Sequence, residues 1–269
     1  QPSADPQAAL ALLRRLQRRT DAVESFELLP AESLAAVLAH VPGARAPLSQ
    51  EHRWHVLVEA VSADPVACEP DGALDEALGG TLADWLAPSL ADGLIEDAAI
   101  AASEAQAEAF WRIRDSISDA ERATGPAVQH DISVPVDAMP RFMVDAAAAC
   151  EARFPGTRAS GFGHLGDGNV HFHVRAPAPP ILTGAECDAW YAREAPAITR
   201  FVHDLVVAAG GSISAEHGIG QMKLGELERL GPPARLHAMR AIKAAMDPLG
   251  LMNPGKLVAP ALAPACLPA

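Results

Sequence analysis

Hydrophobic residues recur along the chain with two different spacings, and segments of the two kinds follow one another closely. Apolar residues three or four positions apart predict helices over residues 5–19, 31–41, 73–86, 104–123, 138–154 and 185–211, with further helix up to MNPGKLV (252–258). Alternating apolar residues and short apolar runs predict strands over residues 25–30, 52–61, 93–101, 130–136, 158–166, 168–176 and 211–220. At the first helix, Asp5 is the expected N-cap and Pro6 takes the first helical position.

The order of these elements reads as β-α-β-β-α-β units. It predicts the α+β class, with a ferredoxin-like antiparallel sheet, helices packed on one face of it, and a C-terminal helical segment. The chain has 269 residues, of which 49% are hydrophobic, and this is enough for one large domain or two small ones.

Charge and cysteine content exclude several classes of protein. The net charge of −13 argues against nucleic acid or anionic lipid as the main partner. No apolar run is long enough for a membrane span, and no segment has the pattern of a secretory signal. The four cysteines are far apart and form no CxxC motif, so we expect a reducing compartment rather than a disulfide framework.

The segment GHLGDGNVHFHV (163–174) carries three histidines in a predicted hairpin. The apolar residues of its second strand are expected to face a core, and these are Val170, Phe172 and Val174. His171 and His173 then face a cleft, and a tight GDG turn brings His164 towards His171 across the hairpin. Two imidazoles that meet in this way are suitable ligands for zinc or another divalent transition metal. The alternative is a polar hairpin edge in water.

A second motif, SISAEHGIGQMK (212–223), places Glu216 and His217 side by side before a glycine-containing loop. Glu216 can complete a set of two nitrogen ligands and one oxygen ligand with His164 and His171, which leaves open coordination positions as catalytic sites do. His217 is then available as a general base. Alternatively, Glu216 caps a helix and His217 is a solvated loop residue.

These two motifs, with MDPLGLMNPGKLV (246–258), resemble the signature blocks of the FAD-linked 2-hydroxyacid dehydrogenases. That family includes D-lactate and D-2-hydroxyglutarate dehydrogenases and the glycolate oxidase flavoprotein subunit, and its flavoproteins are of the vanillyl-alcohol oxidase type. FWRIRDSISDA (110–120), HDISVPV (130–136) and the early FELLP resemble further family blocks. The resemblance covers about residues 20–260.

The resemblance implies a role for each matching residue. It implies His164, His171 and Glu216 as metal ligands and His217 as the base that takes the hydroxyl proton. It implies Arg114 and Ser118 as substrate-binding residues, with Arg114 on the substrate carboxylate. It places Asn253 and Lys256 near the flavin. The cofactors implied are FAD and a divalent metal, with zinc favoured.

Two positions depart from the family pattern, and both are expected to approach the substrate. Gln129 stands where many members have lysine, so binding of the carboxylate should depend more on Arg114 and the metal. His173 stands where many have asparagine, and it could replace that donor or become a further ligand. These departures leave the identity of the substrate open.

The family also has an N-terminal FAD-binding domain with a glycine-rich loop, and no such loop precedes residue 100. We therefore expect residues 1–225 to form the substrate-binding (cap) domain and residues 226–269 to pack against a flavin domain that this chain lacks. The expected function is the substrate- and metal-binding part of an FAD-dependent D-2-hydroxyacid dehydrogenase, with this chain inactive alone.

The alternatives are a metallohydrolase that uses the same ligands, or a non-catalytic subunit or inactive fragment. The expected partners are a small 2-hydroxyacid, an FAD-binding domain or subunit, and an electron acceptor, either a quinone or an electron-transfer protein. A homodimer is left open. The expected location is the cytoplasm, with peripheral attachment at a membrane left open.

Overall fold

A computed structural model describes residues 5–61, 76–177 and 184–258. Five strands form one sheet: β1 (Val23–Pro30), β2 (Trp54–Ala60), β3 (Ala127–Ser133), β4 (Arg158–His164) and β5 (Asn169–Arg175). The helices described before β4 are α1 (Gln7–Gln17), α2 (Ala31–His40), α3 (Glu76–Ala91), α4 (Glu104–Asp115), α5 (Ile117–Ala123) and α6 (Met139–Arg153). Those after β5 are α7 (Gly184–Ala208), α8 (Leu224–Leu230) and α9 (Pro233–Met246).

The strand order in the sheet is β2-β1-β4-β5-β3, and every neighbouring pair is antiparallel. The predicted α+β class with an antiparallel sheet is therefore confirmed. None of the described helices combines the length and the apolar character that crossing a membrane requires.

The main hydrophobic core lies between one face of the sheet and helices α1, α6 and α7. Phe172 on β5 is fully buried there, and its ring centroid lies 6.2 Å from that of Phe142 on α6. Burial of a side chain of this size stabilises the fold by roughly 1.5–3 kcal/mol. As predicted from the alternation in β5, Val170 and Val174 are also fully buried in this core.

A second, smaller cluster lies on the opposite face of the sheet, so the helices cover more than the one face expected. Leu29 of β1 and Phe162 of β4 pack there against residues of α2, α4 and α5, which are Val37, Ile113, Ile117 and Ala120. These helices cover only part of the face. On the uncovered part of this face, polar side chains from four strands lie close together.

Two of the predicted strands are wrong. Residues 93–101 form no strand, because the amides of Leu94 and Ile95 both donate to the carbonyl of Ser89 in the turn that ends α3. The segment 211–220 contributes only one isolated bridge, between Ser133 and Ser212. The Ser212 hydroxyl bonds to the backbone of Ser214 in both directions, and such local bonds compete with a strand ladder.

The other differences concern element boundaries. The predicted helix over 104–123 is two helices, α4 and α5, which meet at Ser116. The predicted strand at 130–136 begins earlier, at Ala127, and ends at Ser133 before a short 3-10 turn. At the start of α1, the Asp5 side chain accepts a hydrogen bond from the Gln7 amide at 2.9 Å, but the N-cap is Pro6 and the helix begins at Gln7, one residue later than expected.

Candidate functional site

The β4–β5 hairpin aligns the histidines because two glycines let backbones approach closely. A Cβ at Gly163 would lie 2.3 Å from the carbonyl oxygen of Asn169, and a Cβ at Gly168 would lie 2.1 Å from that of Val134. Gly168 also has a φ of +85°, which favours glycine. The ladders then place His171 of β5 opposite both Phe162 of β4 and Asp131 of β3.

Three side chains converge on the partly covered face of the sheet. His164, His171 and Glu216 each offer one donor atom, and these atoms lie within 4.8 Å of one another. We call these three residues the donor group. The ring centroids of the two histidines are 6.0 Å apart, and His164 Nε2 lies 3.1 Å from Glu216 Oε1. Nitrogen and oxygen ligands of a tetrahedral zinc ion lie about 3.3 Å from one another, and the pair formed by His164 Nε2 and Glu216 Oε1 is close to this spacing.

A buried carboxylate stands behind His164. Glu27 of β1 has a fully buried side chain and lies directly opposite His164 in the β1–β4 ladder. Its Oε1 accepts a hydrogen bond from His164 Nδ1, and its Oε2 accepts one from Arg114 Nε at 2.9 Å. The second nitrogen of His164, Nε2, accepts from Arg114 Nη2 at 2.9 Å.

These contacts set the direction of three pKa values. Burial alone would raise the pKa of Glu27, but the hydrogen bonds and charges of His164 and Arg114 outweigh it and the pKa is lowered. The hydrogen bond to Glu27 raises the pKa of His164 against the effect of burial. Burial, with the nearby charge of Arg114, lowers the pKa of His171, which favours the neutral ring that a metal binds.

Asp131 holds the loop that carries Glu216 and His217. Its Oδ2 accepts from the backbone amides of Glu216 at 3.1 Å and of His217 at 2.7 Å. Lys223 Nζ donates to the backbone carbonyl of Asp131 at 3.0 Å and closes the other end of the loop. The loop is therefore fixed to β3 although it adds no strand to the sheet.

His217 lies at the border of this site with its side chain 74% exposed. Its Nδ1 is 3.7 Å from Asp131 Oδ2, which is beyond hydrogen-bond distance. Asn169 also contributes, because its Nδ2 donates to Glu216 Oε1 and so orients that carboxylate. The structure thus brings His217 next to the donor group through the shared anchor at Asp131.

The predicted substrate residues are placed differently from one another. Arg114 contacts the site directly, whereas Ser118 lies half-buried on α5. Gln129 is exposed on the edge strand β3, opposite His173 in the ladder. His173 is 4% exposed and its Nδ1 donates to the buried Glu121, so it does not join the donor group.

Asn253 and Lys256 lie in an exposed turn near the end of the described chain. The amide of Lys256 donates to the carbonyl of Asn253 at 3.2 Å, and Asn253 has a φ of 45°. Within the described residues, no hydrogen bond or ion pair links their side chains to the donor group. The turn is nevertheless tied to the loop after His217, because the Leu257 amide donates to Gly220 O at 3.0 Å.

Sequence reasoning missed three residues that support the site: Glu27, Asp131 and Asn169. The signal for Glu27 was a lone carboxylate inside the otherwise apolar run SFELLP. Asp131 likewise lies between apolar residues in HDISV, and Asn169 alternates with the core positions of β5. Such isolated polar residues in strands are rarely buried without a partner, and this could have identified them.

The fold and the site together define the class of this protein. It is an antiparallel α+β domain in which two histidines and one carboxylate form a donor group beside an arginine. The sequence model of the FAD linked oxidases, C-terminal domain, matches residues 2–257, and the chain belongs to this family.

Relatives in this family are named D-2-hydroxyglutarate dehydrogenase. A protein from Xanthomonas citri pv. viticola is 33% identical over 247 residues, covering 92% of this chain and 48% of its own length. The mitochondrial protein of Arabidopsis thaliana is 32% identical over 237 residues, covering 88% and 38%. The protein of Stutzerimonas stutzeri is 30% identical over 257 residues, covering 95% and 51%. The chain therefore spans about half the length of these relatives or less.

Proposed function

We propose that the chain is the substrate- and metal-binding part of an FAD-dependent dehydrogenase that oxidises a D-2-hydroxyacid to a 2-oxoacid. The observation that carries this proposal is the convergence of His164, His171 and Glu216 next to Arg114. Membership of the FAD-linked oxidase family supports the redox chemistry. Since the relatives are named for D-2-hydroxyglutarate, that acid is the first substrate to test, before D-lactate and glycolate.

In this proposal His164, His171 and Glu216 hold one divalent cation, for which zinc suits the ligand types best. The cation would supply Lewis-acid polarisation of the substrate hydroxyl. Asn169 orients the carboxylate of Glu216 through its Nδ2 donor. Hydrogen bonding of this kind around ligands is usual in metal sites, because it fixes their orientation.

The remaining site residues bind substrate or move its proton. The guanidinium of Arg114 pairs with the substrate carboxylate through Nη1 and the second hydrogen of Nη2, since its Nε and one Nη2 hydrogen are used by Glu27 and His164. His217 accepts the hydroxyl proton, and its anchored backbone together with an exposed ring lets it reach a bound substrate. Ser118, Gln129 and His173 stay predicted substrate-binding residues, of which His173 is held by Glu121.

FAD supplies the acceptor for the hydride and is bound mainly by a domain outside this chain. Apolar side chains of the C-terminal segment support a docking surface for that domain, because they are strongly exposed: Ile242, Met246, Leu249, Leu251 and Met252. We assign Asn253 and Lys256 to the flavin side of this surface. Residues 1–225 then form the cap domain and residues 226–269 the docking segment.

The partners and the location of the chain are further parts of the proposal. The electron acceptor would be a quinone or an electron-transfer protein, and the location would be the cytoplasm. A homodimer is a further prediction, to be tested by the mass of the purified protein in solution.

Reconstitution tests the function directly. The chain is combined with the part of the Xanthomonas citri relative that lies outside its match to this chain, supplied with FAD, loaded with zinc, and mixed with D-2-hydroxyglutarate, D-lactate or glycolate without oxygen. We expect the flavin absorption band to bleach with at least one acid and to persist when His171→Ala replaces the wild-type chain. A complex that holds FAD and zinc but bleaches with none of them would refute the proposal, and hydrolysis of esters by the zinc-loaded chain alone would favour the metallohydrolase.

A further inference from the structure

Glu27 is the most deeply buried charged group at the site, and its two oxygens serve different partners. Its side chain has no exposed surface. Oε1 accepts from Nδ1 of His164, and Oε2 accepts from Nε of Arg114. One carboxylate therefore contacts both a member of the donor group and the arginine beside it.

The backbone fixes this arrangement. Glu27 and His164 are direct partners in the β1–β4 ladder, and the Leu165 amide continues the pairing by donating to Phe26 O at 2.8 Å. The guanidinium carbon of Arg114 lies 5.6 Å from the centroid of the Phe162 ring, which packs in the second hydrophobic cluster. The contacts of Glu27 thus come from packed elements rather than from mobile side chains.

The neighbours of His164 determine which ring nitrogen carries the proton. A carboxylate only accepts hydrogen bonds, so Nδ1 must be the N–H nitrogen facing Glu27. An arginine only donates, so Nε2 must be the lone-pair nitrogen facing Arg114. Both neighbours therefore require the same tautomer, and Nε2, whose lone pair accepts from Arg114, lies 3.1 Å from Glu216 Oε1.

We propose that Glu27 is a positioning residue of the metal site, which acts by holding His164 in the Nδ1–H tautomer, so that the Nε2 lone pair, which accepts from Arg114 in this structure, can bind the cation in its place. Arg114 compensates the buried charge of Glu27. This inference rests on the proposed metal site. It assigns to Glu27 the part that carboxylates often play behind a metal-binding histidine, where loss of the partner weakens metal affinity about 10–100-fold.

Glu121 provides a matched control because it has the same kind of environment. It is 1% exposed, and its carboxylate bridges His173 Nδ1 and Arg175 Nη2. His173 is not part of the donor group. Glu27→Gln and Glu121→Gln each remove one buried charge between a histidine and an arginine, so a general loss of stability should affect both alike.

The test is a competitive titration of Zn²⁺ against a chelating dye, with unfolding temperature measured in parallel. We expect Glu27→Gln to bind zinc about 10–100-fold more weakly than the wild type, and Glu121→Gln to stay within about threefold. Equal zinc affinities in the two variants would overturn the inference about Glu27. If the wild type binds no zinc, or His171→Ala binds zinc as the wild type does, the metal site itself is refuted.

Glu27→Gln could fail to fold, and a measurement on the wild-type chain covers that case. Long-range nitrogen–proton NMR correlations of the His164 ring in the zinc-loaded chain report which nitrogen is protonated. We expect the proton on Nδ1 and the metal on Nε2. The reverse assignment would overturn the inference independently of any variant.

Discussion

Replacing Glu121 by glutamine should remove a large, acid-sensitive contribution to stability. Glu121 lies at 1% exposure on α5, where its carboxylate contacts His173, Arg175 and the hydroxyl of Ser33. Burial alone would raise the pKa of Glu121, but the hydrogen bond from His173 and the charges of His173 and Arg175 lower it from 4.5 to about 2.

The size of the effect follows from this shift. A carboxylate whose folded pKa lies below its unfolded value stabilises the fold at pH values above the unfolded pKa. The stabilisation is lost as the pH falls from about 4.5 towards about 2. A shift of this size corresponds to about 3 kcal/mol near neutral pH, and roughly half of that is gone by about pH 3.

Urea unfolding of the wild type and Glu121→Gln at about pH 7 and about pH 3 measures both values. Asp119→Asn is the control on the same helix, because Asp119 is 77% exposed and its ion pair with Arg122 should contribute less than about 1 kcal/mol. A Glu121→Gln deficit that is the same at both pH values would refute the reasoning, since the loss would then come from packing and not from charge.

Three further changes test the site and its support. Asp131→Ala removes the acceptor of two loop amides, so we expect faster proteolysis of the 212–223 loop. We also expect the zinc affinity to fall about tenfold or more. An unchanged cleavage pattern would contradict the role of Asp131 as the anchor of the loop. Gly163→Ala should lower the free energy of unfolding in urea by about 2–3 kcal/mol. Gly166→Ala is the control and should have little effect, because a Cβ at Gly166 would lie in open space. Equal effects of the two substitutions would exclude the close approach of backbones at Gly163 as the cause. In the flavin-complete protein, His217→Ala should lower kcat about 10²–10⁴-fold with a smaller change in KM, and an unaltered kcat would remove His217 from the role of base.

The alternation in the hairpin was the part of the site that sequence could predict. Polar residues at every second position of GNVHFHV place His171 on one face and Phe172 on the other, and the structure confirms the burial of Phe172. The grouping of His164, His171 and Glu216 also matches the prediction geometrically, although its metal stays a proposal. These features depend on local periodicity and on motifs that lie close in sequence.

The partners of the site residues could not be predicted in the same way. His164 and Glu27 are 137 residues apart in sequence, and nothing in either segment indicates the register that pairs them. The resemblance implies that Arg114 binds the substrate carboxylate, but nothing in its segment indicates that its Nε also bonds to Glu27. Such pairings follow from strand order, which a single sequence specifies only through the whole fold.

The strand predicted at 93–101 failed for a related reason. Its apolar residues fit a strand, but the amides of Leu94 and Ile95 donate hydrogen bonds to the carbonyl of Ser89 at the end of α3. A hydrogen bond available locally took precedence over a ladder that would need a distant partner. The apolar pattern identified a segment that packs against the core, as Leu94 and Ile95 do, without determining its backbone conformation.

The opposition of Glu27 and His164 also constrains how the sheet can assemble. Side chains alternate between the two faces of a strand, so a shift of β1 by one residue against β4 would turn Glu27 into the apolar interior and move Leu28 out of it. An ionised carboxylate in that interior would be strongly unfavourable. The acidic side chain therefore penalises misaligned pairings during folding, and the same residue that faces the imidazole helps to select the correct alignment of the two strands.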